Sequence, residues 1–391
     1  MPELSATALR VPASGIREIV NLALSRGGDV VRLEIGEPHR PPAPHIAEAG
    51  AAAARAGTGY TQSAGIPQLR AELAEDLRRR YEVAVSPDRV IVSQGAVQGI
   101  AAVLAAVLRP GDEVLVPDPS WPNYEMQTLL FGGVPMRYPL RPDNGFVPDP
   151  AEVAALVGPR TRVLVLNSPG NPTGAVTGRP ALHRLVEIAA RHDVLVISDE
   201  VYDEVLFEGE PAALCQLGAP HVVSVFSFSK TYAMTGWRVG YVLAPPWLAP
   251  TLARLQEPFL SCISGVSQAA ALAALSGPRD GVATAVAEYR RNRDVAVRLL
   301  ADAGIHPVVP DGAFYLMVPL APGVDSRRAA LDLVGHGVAT APGTAFGDVA
   351  RAFLRISFAA TEAQLVAGLD RLIAWHDKSG GGAVATEGVG R

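Results

Sequence analysis

The strongest constraint on this chain is a repeating alternation: short β-rich runs are separated by longer segments rich in Ala and Leu. The runs Val90–Ser93, Glu113–Val116, Arg162–Leu166, Val194–Ser198, Val222–Phe226 and Val239–Leu243 read as strands. Between them, Ala96–Leu108 and Pro180–His192 read as helices, the second with Leu182, Leu185, Val186 and Ala189 on one face. Strands that alternate with helices predict an α/β fold, a mostly parallel sheet of the seven-stranded type wrapped by helices.

The pattern changes after about Val266. A long helix is predicted over Asp280–Ala303, then short runs at His306–Val309, Ala313–Val318 and Arg355–Phe358, and a closing helix over Glu362–His376. This reads as a smaller α+β domain, completed by an N-terminal segment with one helix at Ile16–Arg26. The expected division is an N-terminal segment 1–41, a large domain 42–279, a small domain 280–378, and a Gly-rich tail 379–391 expected to be disordered. At 391 residues the chain exceeds what a single core usually serves.

Composition narrows the function. A net charge of −5 and scattered arginines disfavour a nucleic-acid surface. The most apolar stretch, Ile100–Leu108, is too short to cross a bilayer, and Met1–Pro12 lack the basic and long apolar regions expected of a signal peptide. Cys215 and Cys262 lie far apart, which speaks against a disulfide framework or zinc ribbon and fits a reducing, cytoplasmic compartment. No metal-ligand spacing, phosphate-binding P-loop or serine-hydrolase elbow is present.

In open α/β sheets, ligands gather beyond the carboxyl ends of strands. Immediately after the predicted strands stand Gln94-Gly95-Ala96-Val97, PDPSWPNY (117–124), NSPGNPTG (167–174), Asp199-Glu200-Val201-Tyr202, and SFSKTYAMTGWRVG (227–240). A ligand combining a phosphate, a protonated pyridine, a phenolate and an aldehyde would demand this set. The aldehyde needs a Lys amine of lowered pKa, and the ring nitrogen needs a carboxylate. The phosphate suits a helix N-terminus, hydroxyls and a bidentate Arg.

These strings, with IGEPH, YTQSAGIPQLR, PGTAFG and RISFA, resemble the class I/II aminotransferases of fold type I, similar to aspartate aminotransferase, in the family's order and over all but the tail. The resemblance implies pyridoxal 5′-phosphate held as a Schiff base on Lys230, which also moves a proton at the substrate Cα. It implies Asp199 at the ring nitrogen, Tyr202 and Asn171 at the phenolic oxygen, and Trp121 and Val201 on opposite ring faces. Phosphate contacts fall to Gly95, Ala96, Val97, Ser227, Ser229 and Arg238, with Tyr60 reaching the cofactor of a neighbouring subunit in a homodimer. Arg355 is assigned to the substrate α-carboxylate, with Gly36, Trp121 and Asn171 beside it.

Each residue alone has a plainer reading: Lys230 as a solvated surface amine, Asp199 as a turn residue, Trp121 and Tyr60 as packed aromatics, Arg238 and Arg355 as surface charges. The plain readings leave their joint order unexplained. The implied reaction moves an amino group from an α-amino acid to a 2-oxo acid with ping-pong kinetics. Carbon–sulfur β-elimination on the same scaffold is an alternative, and a non-catalytic ligand-sensing domain a more distant one. Val97 stands where relatives that take acidic substrates typically carry a cation, which points to apolar or aromatic side chains unless Arg40 or a partner's Arg supplies the charge. His39 and Arg40 stand where many relatives have Asp-Phe.

Overall fold

In the structure, a computed structural model describing residues 3–209 and 212–378, twelve strands form three sheets. In chain order they are β1 (Val31–Arg32), β2 (Val90–Ser93), β3 (Glu113–Asp118), β4 (Val134–Pro139), β5 (Thr161–Asn167), β6 (Leu195–Asp199), β7 (Val222–Ser227), β8 (Gly240–Leu243), β9 (Tyr315–Pro319), β10 (Val338–Ala339), β11 (Ala341–Pro342) and β12 (Phe353–Ser357). The tail expected to be disordered, 379–391, lies outside the described residues.

The main sheet has seven strands in the order β2-β8-β7-β6-β5-β3-β4. Only β8 runs against its neighbours, and every other pairing is parallel. Its inner strands are apolar on both faces, because helices cover both sides. Val163, Leu164 and Val165 of β5, and Val196 and Ile197 of β6, are all buried. The helix Arg179–Arg191 shows how the cover is built: Pro180 opens it, and Leu182, Leu185, Val186, Ile188 and Ala189 form the buried stripe.

The chain's two ends meet. β1 pairs in parallel with β10, so the N-terminal segment is joined by strand pairing to the C-terminal part. A second, three-stranded antiparallel sheet is ordered β11-β12-β9. The helix Asp280–Asp302 leads into this region, and Glu362–His376 closes it with a reciprocal Thr361/Gln364 capping box.

Two expectations need correction. The run His306–Val309 forms no strand: His306-Pro307 opens an irregular link, since proline cannot donate to a ladder. The edge strand β4 is an addition to the expected strands, because Pro135, Arg137 and Pro139 interrupt its apolar pattern; proline, which cannot donate to a ladder, is readily accommodated at an edge. Other boundaries move by at most two residues.

Parallel order places the carboxyl ends of β7, β6 and β5 side by side at Ser227, Asp199 and Asn167, with Asn167 and Asp199 in register. Ile197 is fully buried in β6, two residues before Asp199. Ile197→Ala is expected to cost about 3 kcal/mol by cavity formation, read as a lowered thermal midpoint of the cofactor-free protein. An unchanged midpoint would contradict this placement.

Candidate active site

Beyond those strand ends lies a cavity of about 690 Å³. Gly36, Ala96, Val97, Trp121, Asn171, Asp199, Val201, Tyr202, Ser227, Ser229, Lys230, Arg238 and Arg355 all line it. They come from separate stretches of chain, brought together by the sheet order. Of the sequence-derived site residues, Gly95 and Tyr60 stand outside the lining.

Lys230 lies just past β7 in the short helix Phe228–Thr231, whose N-terminus is capped by the Ser227 hydroxyl accepting from Ser229 N–H. Its amine donates to the Gly36 carbonyl at 2.5 Å. Burial, then the nearby Arg355 guanidinium, push the amine down to about 8, against opposing pulls from Glu37 and Asp199. Of the chain's 34 lysine and arginine residues, only Lys230 and Lys378 are lysines. That rarity is a signal in the sequence alone, since a nearly lysine-free chain has kept one behind a core strand.

Asp199 ends β6. The Tyr124 hydroxyl donates to its Oδ2 at 2.6 Å, and Val201 N–H to Oδ1 at 3.2 Å. Burial raises Asp199 to about 6, and these two bonds together with the Lys230 charge oppose that rise. Asn167 Nδ2 donates to the Asp199 carbonyl, while its Oδ1 accepts from Asn171 N–H at 2.8 Å, so one side chain ties the β5 and β6 loops together.

Arg355, on β12, is buried and sandwiched between the rings of Tyr315 (4.4 Å) and Phe346 (4.7 Å). Its Nη1 donates to Asn171 Oδ1 at 2.9 Å and its Nη2 to the Glu34 carbonyl at 2.5 Å. The buried Nε has no acceptor among the described residues. Tyr315, paired with Tyr202 hydroxyl-to-hydroxyl at 2.7 Å, also explains Gly36: any Cβ there would collide with the Tyr315 hydroxyl. Sequence reasoning assigns no role to Tyr124, Tyr315 or Asn167. Tyr124 lies in the PDPSWPNY string, but nothing in the sequence marks Tyr315 as more than an aromatic in a strand.

Trp121 meets Tyr124 edge-on at 5.5 Å between centroids. On the phosphate side assigned from sequence, the helix Gly95–Val107 points its N-terminus at the cavity with no side-chain cap on its first N–H groups. Gly95 has φ +70°, and a Cβ would stand 2.5 Å from Arg238 Nη2, so only glycine lets the guanidinium close in. Arg238 spends Nη1 on the Thr235 carbonyl.

His39 and Arg40, the departures from the common pattern, act together. His39 Nε2 and Arg40 Nε both reach the Glu288 carboxylate on the long helix, at 3.4 and 2.6 Å. Arg40 is not among the residues that line the cavity of its own chain. The pair anchors the end of the 34–40 segment, whose carbonyls serve Lys230 and Arg355 and whose Glu37 accepts from the Thr235 hydroxyl.

Comparison with known proteins gives the family. Residues 28–372 match the family described as aminotransferase class I and II. This chain belongs to that family. The aspartate/prephenate aminotransferase of Thermus thermophilus is 39% identical over 88% of this chain and 91% of its own length. The LL-diaminopimelate aminotransferase of Desulforudis audaxviator is 38% identical over 91% of this chain and 93% of its own. A solved structure of the Thermus thermophilus aspartate aminotransferase with maleate superposes with a TM-score of 0.92, at 37% identity, covering 96% of this chain and all of that one. The chain is a pyridoxal-phosphate-dependent aminotransferase with the α/β fold of that family.

The residues present fit that cofactor. An uncapped helix N-terminus, the Ser227 and Ser229 hydroxyls and the free edge of Arg238 make a cradle for a dianion. A carboxylate and an amine line the same cavity.

The lowered amine gives a test on the cofactor-free protein. Only the neutral amine is nucleophilic, so labelling of Lys230 by trinitrobenzenesulfonate should rise with pH through about 8, in a Lys378→Arg background. Arg355→Gln removes a cation that disfavours the ammonium, so the midpoint should move up toward the ordinary lysine value near 10.5. A midpoint already at the ordinary value, or one that falls in the variant, would contradict the site's electrostatics.

Proposed function

We propose that this enzyme transfers an amino group from an α-amino acid to a 2-oxo acid in two half-reactions at one site, with the cofactor carried on Lys230. The observation that supports this best is that Lys230, Asp199 and Arg355 line a single cavity. When bound, pyridoxal phosphate supplies an aldehyde that holds the amino group and a protonated ring that draws electrons from the substrate Cα.

The rest falls to the protein. Lys230, displaced by the substrate amine, takes the Cα proton and returns it one position away as base and then acid. Asp199 holds the ring nitrogen protonated; Tyr124 and Val201 N–H keep it ionised in a buried place. Because Asn171 Oδ1 faces Arg355, its Nδ2–H is left to face the ring's phenolic oxygen beside the Tyr202 hydroxyl. Val201 and Trp121 cover the two ring faces. Gly95, Ala96, Val97, Ser227, Ser229 and Arg238 hold the phosphate. Arg355 grips the substrate α-carboxylate, its unpartnered Nε and aromatic sandwich keeping one edge ready, with Gly36 close by.

On this reading residues 42–279 form the cofactor-binding domain, and 280–378 together with 1–41 form the small domain. The enzyme is cytoplasmic, in keeping with two unpaired cysteines and with no described helix long and apolar enough to cross a membrane. It works as a homodimer. Tyr60 is 95% exposed and outside its own cavity, while Thr61 beside it is tied to Cys262 and Ile263, an arrangement suited to a ring that reaches a partner's phosphate.

An amino acid alone should bleach the visible absorbance of the loaded enzyme, and a 2-oxo acid should restore it. Lys230→Ala should slow that conversion by about 10³-fold or more. Ammonia released without an acceptor would identify elimination instead. For the shared site, Tyr60→Ala and Lys230→Ala protomers, each inactive or weak, should regain activity when mixed, and no recovery would count against a shared site.

A further inference from the structure

The carboxyl end of β3 carries an acid that the proposed reaction does not use. Asp118 is buried and is not among the residues that line the cavity. Its oxygens face a distant stretch of chain, the loop 343–349 in the link between β11 and β12. Asp348 N–H donates to Oδ2 and Val349 N–H to Oδ1, each at 3.1 Å. Two residues on from Asp118, Ser120 N–H donates to the Phe346 carbonyl at 2.8 Å. Gly347 makes this approach possible: its φ is +140°, and a Cβ there would collide with Asp118 Oδ1.

The residue held by this joint is Phe346, whose ring covers one face of the Arg355 guanidinium at 4.7 Å. Tyr315, on the other face, belongs to β9 and is fixed by pairing with β12. Phe346 has no such pairing, and its own N–H reaches only the Gly343 carbonyl within the loop. The loop's other ties are Thr344 N–H to the Ser326 hydroxyl and an exposed Arg137–Asp348 ion pair, which is worth little. Bonds to a buried carboxylate are charge-assisted, about twice as strong as neutral ones. Asp118 is therefore the main anchor of the loop on the large sheet.

We propose that Asp118 is a positioning residue for substrate binding: by fixing the loop it holds Phe346 against Arg355. A guanidinium stacked on both faces has fewer orientations to lose when it takes the substrate α-carboxylate. The inference rests on the reading of Arg355 as the α-carboxylate site. Asp118 acts through Phe346, not by contact with the reacting atoms.

The test uses the loaded enzyme and 2-methylalanine, an amino acid with an α-carboxylate but no Cα proton to lose, titrated by absorbance. Asp118→Asn sets an amide N–H against a backbone donor, so binding should weaken about 5- to 30-fold. With alanine as substrate, KM should rise by a similar factor while kcat changes less than about threefold. Gly347→Ala, which opens the joint from the loop side, should reproduce the loss, so the outcome does not hang on one variant folding. Phe346→Leu should weaken binding as well, and the Asp118→Asn/Phe346→Leu double variant should be little worse than the weaker single one. Losses that multiply in the double variant, or a lowered thermal midpoint with unchanged 2-methylalanine binding, would overturn the role of Asp118. Arg355→Gln separates the two readings: if it leaves 2-methylalanine binding unchanged, the α-carboxylate assignment fails and the role of Asp118 falls with it. Strong weakening in Arg355→Gln without any in Asp118→Asn or Gly347→Ala would overturn the role of Asp118 alone.

Discussion

Asp199 and Lys230 set the terms for the rest of the site. Neither charge would be at ease in a low-dielectric place by itself: burial pushes the acid up to about 6 and the amine down to about 8. Each partly offsets the other, since the amine's charge favours the carboxylate and the carboxylate's charge favours the ammonium. Tyr124 and Val201 N–H add donors to the acid, and the Gly36 carbonyl accepts from the amine. The result is an ionised acid beside an amine readily made neutral, which suits a group that must hold a ring protonated next to a nucleophile.

Arg355 carries the same logic outward. Its guanidinium joins three distant stretches of chain: β12, the loop after β5 through Asn171, and the segment after β1 through the Glu34 carbonyl. Tyr315 packs on it, meets Tyr202, and leaves room only for a glycine at position 36. A substitution at any of these points would be felt at the others, because they share one hydrogen-bonded and stacked cluster. The Glu288 contacts of His39 and Arg40 hold the far end of the same segment.

The arginines show how a single type of charge is divided among tasks by location. Arg238 lies against a glycine at a helix start, Arg355 is sandwiched between aromatic rings, and Arg40 is neutralised on a neighbouring helix. Their sequence contexts distinguish the first two; only the fold shows Arg40 to be part of a structural ion pair.

The amino-acid order by itself determined the alternation that makes a mostly parallel sheet, and it set Lys230, Asp199, Asn171, Arg238 and Arg355 in strings specific enough to predict a cofactor. Apolar periodicity and strand-ending motifs are local, so they can be read locally. Only the tertiary structure decided the partners. Tyr124 meets Asp199 across 75 residues, Arg355 meets Asn171 across 184, and Arg40 meets Glu288 across 248. Such contacts depend on strand order and on how β1 closes against β10. No spacing along the chain encodes them, so the place of Tyr315 against Arg355 and position 36 became visible only once the chain was folded.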